Sequence, residues 1–144
     1  MRSRLAVEAR FSPKITNMPM RRVLLVDDNR AFLDAVSAIF ESMSDIEIVG
    51  RATSGLEALE FAGRLKPDCI IMDLSMPEID GLEAARRLSR RPSSPVIVIM
   101  SIHDQAEYRA AALAAGAAGF LPKAELYSKL LDMIDCLIPP TRDA

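Results

Sequence analysis

Five short apolar runs, separated by segments with helical periodicity, constrain the fold of this 144-residue chain more than any other feature. Four of the runs contain no charged side chain and do not alternate, as is typical of strands covered on both faces of a sheet, while Glu47 interrupts the run at 46–49. Intervening helices would supply that cover and would connect the strands in parallel. The pattern therefore predicts an α/β domain of five βα units. The predicted strands span 23–26, 46–49, 69–72, 96–100 and 117–121.

The helical segments have recognisable boundaries. Ser54 and Glu57 have the spacing of a capping box, which predicts a helix start at that point. Asp104 and Glu107 have a similar spacing, and we expect a second such start there. Phe32 is the first residue of the apolar stripe of the first segment. The predicted helices span about 30–43, 54–65, 81–90, 104–116 and 125–138.

Length and charge limit the organisation of the chain and its partners. One domain over 21–138 is expected, with a flexible basic leader at 1–20 and a short tail at 139–144. Residues 1–22 contain six Arg or Lys and one Glu, a net charge of +5, so the remainder carries −7. An acidic body argues against direct binding of nucleic acid, and no apolar run approaches the ~20 residues that cross a membrane. Cys69 and Cys136 are expected to be buried free thiols. Free thiols fit the reducing environment of the cytoplasm, where we expect the protein to be.

Polar side chains that could bind a ligand or take part in a reaction follow four of the five predicted strands. They are Asp27, Asp28, Asp73, Ser101 and Lys123. Each one alone is more often a loop or cap residue. In an open parallel sheet, however, the carboxyl ends of the strands meet at one edge, where ligands bind. Three carboxylates crowded there repel one another unless a cation such as Mg²⁺ lies among them, and a hydroxyl and an ammonium suit a phosphoryl group. The set indicates phosphoryl transfer.

The motifs around these residues carry a family resemblance. VLLV precedes Asp27 and Asp28, MDLSMPEIDG surrounds Asp73, MS ends at Ser101 and GFLPK ends at Lys123, at intervals of 45, 28 and 22 residues from Asp28 onward. Over about residues 21–138 the chain resembles the response regulator receiver family of two-component phosphorelay signalling. The resemblance implies a single-domain, doubly wound (βα)5 flavodoxin-like fold, with a five-stranded parallel sheet in the order 2-1-3-4-5.

The resemblance also implies a role for each matching residue. Asp73 corresponds to the phosphoacceptor, which a histidine kinase or histidine phosphotransfer protein would phosphorylate. Ser101 corresponds to the hydroxyl that hydrogen-bonds the phosphoryl group. Lys123 corresponds to the cation that pairs with that group, and with Asp73 before phosphorylation. On this reading the chain is a signalling phosphoacceptor and not an enzyme, since it catalyses only its own phosphorylation and dephosphorylation.

A metal site and a switch are implied as well. Mg²⁺ would be held by the side chains of Asp28 and Asp73 and by the backbone carbonyl of Ser75, with Asp27 acting directly or through water. Ser101 and Phe120 correspond to the residues that move in the switch. The 104–138 face would then bind a downstream protein or a second copy of the chain.

Three residues near the site are expected to modulate its chemistry: Ser75, Ile102 and His103. Ile102 is bulky where the family often has Ala or Gly, and we expect it to slow loss of the phosphoryl group; that it merely packs against its neighbours is the alternative. Ala124 follows Lys123 where the family usually has proline. The GFLPK form resembles receivers that precede LuxR-type DNA-binding domains. A stand-alone receiver is favoured over one cut from such a regulator.

Three other functions compete with this interpretation. A phosphohydrolase with an aspartyl nucleophile would want a second Asp at the position of Ser75. A flavin-binding module would want Ser, Thr and Gly after the first strand, where Asp27 and Asp28 would repel the cofactor phosphate. A receiver-shaped scaffold that is never phosphorylated is the third, although the full set of site residues gives no reason to prefer it.

Overall fold

The computed structural model describes residues 20–140, which form a five-stranded parallel sheet in the order β2-β1-β3-β4-β5. This order confirms the predicted doubly wound α/β fold. The predicted leader lies outside the described residues except for Met20, as does the predicted tail beyond residue 140. The strands are β1 (Arg21–Val26), β2 (Ile46–Ala52), β3 (Cys69–Asp73), β4 (Val96–Ser101) and β5 (Gly119–Pro122).

Five helices cover the two faces of the sheet. They are α1 (Arg30–Glu41), α2 (Gly55–Leu65), α3 (Gly81–Ser89), α4 (Ala106–Ala114) and α5 (Leu126–Leu137). Helices α1 and α5 pack on one face, and α2, α3 and α4 pack on the other. A short 3₁₀ turn, Lys123–Glu125, connects β5 to α5. Within 20–140, no helix is long and apolar enough to cross a membrane.

The uninterrupted apolar character of residues 23–26 in β1 has a direct structural cause. In β1, Leu24 and Val26 belong to the core beneath α2, α3 and α4. Their neighbours Val23 and Leu25 belong to the core beneath α1 and α5. Because successive side chains of a strand point to opposite faces, a sheet covered on both faces needs an apolar residue at every position.

The predicted capping box at the start of α2 is present. Ser54 Oγ accepts a hydrogen bond from the Glu57 N–H at 3.1 Å. Glu57 Oε1 in turn accepts from the backbone N–H of Thr53 at 2.8 Å, one residue before the usual partner. That backbone hydrogen bond holds the pKa of Glu57 below its ordinary value. At the other end of α2, Lys66 adopts the left-handed conformation with φ of 50°, where glycine is the usual residue.

Helix α4 begins later than the sequence pattern predicts. The prediction of a capping box at Asp104 is wrong, because the N-cap is Gln105 and its side chain makes no capping hydrogen bond. The preceding segment is held by another contact, in which the His103 N–H donates to Ser101 Oγ at 2.9 Å. This short turn keeps residues 102–105 outside the helix. Within α4 itself only Ala112 is buried, so the helix contributes little to the core.

The expectation that both cysteines are buried is wrong for Cys136. Cys69 is buried in β3, and burial raises the pKa of its thiol to about 12. Cys136 is exposed. Helix α5 buries Leu126, Leu130 and Ile134, which are spaced four residues apart on the face toward the sheet. Two residues beyond Ile134, the helix has turned by about 200°, so the side chain at 136 points to solvent.

Candidate functional site

The carboxyl ends of β1 and β3 bring three carboxylates together. Val26 and Met72, which precede Asp27 and Asp73, are paired in these neighbouring strands. Asp27, Asp28 and Asp73 each offer a carboxylate oxygen, and the three oxygens lie within 4.8 Å of one another. We call these three residues the acidic rim. The parallel register therefore produces the cluster that the sequence predicts.

Lys123 reaches the acidic rim from the end of β5. Its Nζ lies 2.7 Å from Asp27 Oδ2 and 3.6 Å from Asp73 Oδ1, and its side chain is 16% exposed. The predicted ion pair with Asp73 is thus present only as the longer of two contacts. The nearer partner is Asp27, whose completely buried carboxylate needs a compensating charge.

Both carboxylate oxygens of Asp27 already have partners. Oδ1 accepts a hydrogen bond from the Asn29 N–H at 2.8 Å, and Oδ2 accepts from Lys123 Nζ. Asp28, in contrast, is exposed. Direct ligation of a metal ion by Asp27 would compete with these two contacts. Asp28 and Asp73 are therefore better placed to act as direct ligands.

Asp73 is buried at the end of β3. Burial raises its pKa to about 6, and the neighbouring negative charge of Asp27 adds to this effect, while Lys123 and the Ser75 backbone oppose it. Three carboxylates face a single ammonium at the acidic rim, so its negative charge is incompletely compensated. Hard oxygen ligands with excess negative charge fit a divalent cation such as Mg²⁺.

The loop after β3 approaches Asp73 closely. The Leu74 N–H donates to the Met100 carbonyl at 2.8 Å, and the Gly81 N–H donates to the Leu74 carbonyl at 2.7 Å. A Cβ at residue 81 would lie 2.3 Å from the Asp73 carbonyl oxygen, so only glycine fits. These two hydrogen bonds fix the backbone of the loop that directly follows Asp73. Ser75 lies within it and is exposed, and its role as a carbonyl ligand stays a prediction.

Ser101 is buried at the end of β4 and is the start of a short turn. Its Oγ accepts from the His103 N–H, and the His103 ring stacks on Tyr108 of α4 with 5.0 Å between centroids. Ile102, which lies between Ser101 and His103 in the chain, is 77% exposed, so it does not pack into the core. The modulating roles of Ser75, Ile102 and His103 stay predictions.

Phe120, the predicted switch aromatic, is buried in β5. The Arg109 guanidinium carbon lies 5.0 Å from the centroid of its ring, and Arg109 Nη1 donates to the Phe120 carbonyl at 3.4 Å. Helix α4 therefore contacts Phe120 through a charged side chain. Its role in switching stays a prediction.

Sequence reasoning missed one residue of the site. Phe32, in the first turn of α1, places its ring centroid 4.2 Å from Lys123 Nζ. The apolar stripe of the helix accounts for an aromatic residue at this position and gives no hint of the contact. The only available signal is its position, four residues after Asp28 in the helix that begins at the acidic rim.

Comparison with known proteins relates the chain to one family. Residues 23–135 match the family model described as the response regulator receiver domain. A 103-residue stretch is 43% identical to a protein-glutamate methylesterase/protein-glutamine glutaminase of Alkalilimnicola ehrlichii, and covers 71% of this chain and 26% of that protein. A second such protein, from Pseudomonas fluorescens, is 46% identical, with 71% and 28% covered. The match thus spans about a quarter of the length of these curated relatives.

Solved structures show the same likeness. The response regulator domain of Thermotoga maritima CheB is 30% identical with a TM-score of 0.77, covering 85% of this chain and 99% of that one. The receiver domain of the response regulator NarL from Mycobacterium tuberculosis is 30% identical with a TM-score of 0.73, covering 80% and 96%. A LuxR-family regulator from Aurantimonas is 26% identical with a TM-score of 0.78, covering 82% and 84%.

The names of the curated relatives correct one expectation. The prediction that the protein is not an enzyme is contradicted, because these relatives are named as methylesterases and glutaminases. The aligned stretch covers only a minor part of each of them. That the receiver stands alone, and is not part of a longer regulator, stays a prediction.

Proposed function

Because the chain belongs to the response regulator receiver family of two-component signalling, we propose that Asp73 accepts a phosphoryl group from the phosphohistidine of a histidine kinase or phosphotransfer protein. One observation carries the proposal. A buried carboxylate of raised pKa lies beside Lys123, within an acidic cluster that fits a divalent cation. Such a combination suits a nucleophile for phosphoryl transfer.

The proposed step is a displacement at phosphorus. A carboxylate oxygen of Asp73 forms the O–P bond as the P–N bond of the donor phosphohistidine breaks, and the electron pair and a proton remain on the donor imidazole. The nucleophile must be ionised, which a pKa of about 6 allows at neutral pH. Lys123, 3.6 Å from Asp73 Oδ1, would pair with the incoming charge. Ser101 Oγ accepts from His103, which leaves its O–H free to donate to the phosphoryl group.

Receiver domains generally bind Mg²⁺ at an acidic cluster, and the acidic rim fits that ion. The side chains of Asp28 and Asp73 and the carbonyl of Ser75 would hold it, with Asp27 beside them. Bound there, Mg²⁺ would reduce the repulsion between the Asp73 carboxylate and a phosphoryl dianion. The remaining charge would be balanced by Lys123, which already faces two of the carboxylates.

The chemistry is tested by intact-protein mass spectrometry after incubation with acetyl phosphate and Mg²⁺. We expect one added phosphoryl group in the wild type. Asp73→Asn and the wild type in EDTA should show none, whereas Asp104→Asn, at an exposed carboxylate outside the acidic rim, should behave like the wild type. Failure of the wild type with acetyl phosphate and with a cognate kinase would overturn the proposal in favour of an unphosphorylated scaffold.

Phosphorylation would act through Ser101 and Phe120 on the 104–138 face, which would then bind a downstream protein or a second copy of the chain. Two features support this. Helix α4 buries only Ala112, and its Arg109 contacts the ring and the carbonyl of Phe120. An element held by so few core contacts is easily displaced. Beryllium trifluoride, a phosphoryl mimic, should change hydrogen exchange in α4 of the wild type, and unchanged exchange would contradict the switch.

A second proposal concerns the output. The identity of 43–46% to protein-glutamate methylesterases favours control of such an enzyme, within a longer polypeptide or in a complex. Methanol release from a methyl-esterified protein substrate would be measured with a methylesterase catalytic domain, with and without the phosphorylated chain. A rate that changes with the wild type and not with Asp73→Asn supports this output. An unchanged rate rejects it.

A further inference from the structure

We propose that Phe32 is a positioning residue for phosphoryl transfer, whose ring fixes the Lys123 ammonium beside Asp73. The inference rests on the proposed function, since it concerns how fast Asp73 accepts the phosphoryl group. It starts from the cation–π contact between Lys123 Nζ and the Phe32 ring, 4.2 Å from the centroid. None of the sequence motifs around the acidic rim includes Phe32.

Three partners surround the ammonium of Lys123. Asp27 Oδ2 lies at 2.7 Å, Asp73 Oδ1 at 3.6 Å and the ring of Phe32 at 4.2 Å. An ammonium is strongly hydrated in water, yet this side chain is only 16% exposed. The ring therefore replaces part of the lost hydration with the negative face of its π-system. It also blocks one direction in which the flexible side chain would otherwise move.

A single short turn positions both Asp27 and Phe32. The Asn29 N–H donates to Asp27 Oδ1 at 2.8 Å, while Asn29 Oδ1 caps α1 by accepting from the Phe32 N–H at 3.1 Å. Asn29 thus orients the carboxylate that binds Lys123 and also the residue whose ring covers it. The two partners are fixed relative to each other before any phosphodonor arrives.

The fixed ammonium has a consequence for the reaction rate. A lysine side chain gains considerable rotamer freedom when it is released into water. With the ring in place, Lys123 need only shift from Asp27 toward the phosphoryl oxygens. Without the ring, we expect hydration and alternative rotamers to compete with that position. Preorganisation of this kind accelerates phosphoryl transfer because the charge is in place before the transition state.

The first test compares rates of phosphorylation by acetyl phosphate at saturating Mg²⁺. Phe32→Leu keeps an apolar side chain and removes the ring, and should slow the reaction about two- to fivefold. Phe32→Tyr keeps the ring and should retain the wild-type rate. Phe61→Leu is the matched control, since its ring lies beneath Arg64 on α2, on the other face of the sheet. It should leave the rate unchanged.

A second readout needs no phosphodonor. In the wild type and in Phe32→Tyr, the ring current should shift the Lys123 Hε NMR signals upfield, and the shift should disappear in Phe32→Leu. Loss of the shift with an unchanged rate would overturn the positioning role and leave the proposed function intact. A wild type without the shift would overturn the contact itself. A wild type that accepts no phosphoryl group would overturn the proposed function, and the positioning role with it.

Discussion

Lys123 Nζ lies 2.7 Å from Asp27 Oδ2 and 3.6 Å from Asp73 Oδ1, so its nearer partner is a buried carboxylate beside the predicted phosphoacceptor. The same ammonium therefore stabilises the fold and supplies charge to the proposed reaction. Because Asp27 is completely buried, the two roles cannot be separated by removing Lys123 alone. They can be separated by measuring stability and phosphorylation independently.

Lys123→Met should lower the free energy of unfolding by about 3 kcal/mol, because it leaves the buried Asp27 charge without its ion pair. Urea denaturation at pH 7 in the absence of Mg²⁺ measures this directly. Lys129→Met is the matched control, since Lys129 of α5 forms only an exposed ion pair with Glu125 of the preceding 3₁₀ turn, and its loss should matter little. Equal stabilities of the two variants would mean that the Lys123–Asp27 pair contributes nothing.

Asp73 should make stability depend on pH. Its folded-state pKa of about 6 exceeds its ordinary value of 3.8, so the stability it contributes is fully present below pH 3.8 and is lost as the pH rises through 6. In EDTA, the wild type should lose about 2 kcal/mol more than Asp73→Asn between pH 4 and pH 7.5. Parallel pH profiles for the two proteins would show that burial does not penalise the Asp73 charge.

Mg²⁺ should reverse that penalty, since a cation at the acidic rim favours ionised carboxylates. At pH 7.5, millimolar Mg²⁺ should raise the melting temperature of the wild type more than that of Asp73→Asn. The same removal of one negative charge outside the acidic rim, in Asp104→Asn, should leave the Mg²⁺ response unchanged. Equal responses in all three proteins would place the ion elsewhere.

The amino end of the sheet is held by a second buried cation. Arg21 forms ion pairs with Asp45 at 2.9 Å and Asp135 at 2.7 Å, and donates to the Ile138 carbonyl at 2.9 Å. Arg21→Met should cost about 2 kcal/mol and speed amide exchange at the end of α5, because two carboxylates lose a partner. Arg51→Met, which breaks only an exposed pair with Asp34, is the control. Unchanged exchange in α5 would contradict the prediction.

Lys66 should be replaceable with a gain in stability. It occupies the left-handed conformation at the end of α2 with φ of 50°, which glycine adopts without steric cost. Lys66→Gly should therefore raise the free energy of unfolding by about 1 kcal/mol. Lys66→Ala retains the Cβ and should give no such gain. Similar stabilities for the two variants would mean that the backbone there is not strained.

Ile102 should lengthen the life of the phosphorylated state. The residue is 77% exposed and directly follows Ser101, where its side chain would obstruct an attacking water. After removal of acetyl phosphate, Ile102→Ala should lose the phosphoryl group faster than the wild type, as followed by intact mass. Leu113→Ala, which trims an exposed apolar side chain farther along the chain, on α4, should decay like the wild type. Equal decay in Ile102→Ala and the wild type would refute the obstruction.

The sequence predicts the acidic rim well because parallel pairing determines it. Once each apolar run is assigned to a strand, the register brings the residues after β1 and β3 to the same edge, and Asp27, Asp28 and Asp73 must meet. The apolar faces of the helices follow similarly from their periodicity, as Leu126 and Leu130 show in α5.

The contacts between individual side chains could not be predicted in this way. Lys123 lies nearer to Asp27 than to Asp73, and its third contact, the ring of Phe32, comes from a different element. The late start of α4 depends on the hydrogen bond from His103 to Ser101, which competes with helical capping. Such outcomes depend on tertiary geometry and on local competition that periodicity does not encode.

The weak attachment of α4 has a consequence for how proteins with this fold can diverge. Only Ala112 of the helix is buried, and most of its other side chains, including Leu113, are exposed. Substitutions on the outer surface of α4 should therefore alter the proposed partner-binding face without weakening the sheet or disturbing the acidic rim. Gene duplication followed by drift in this one helix would give two regulators with the same chemistry and different targets.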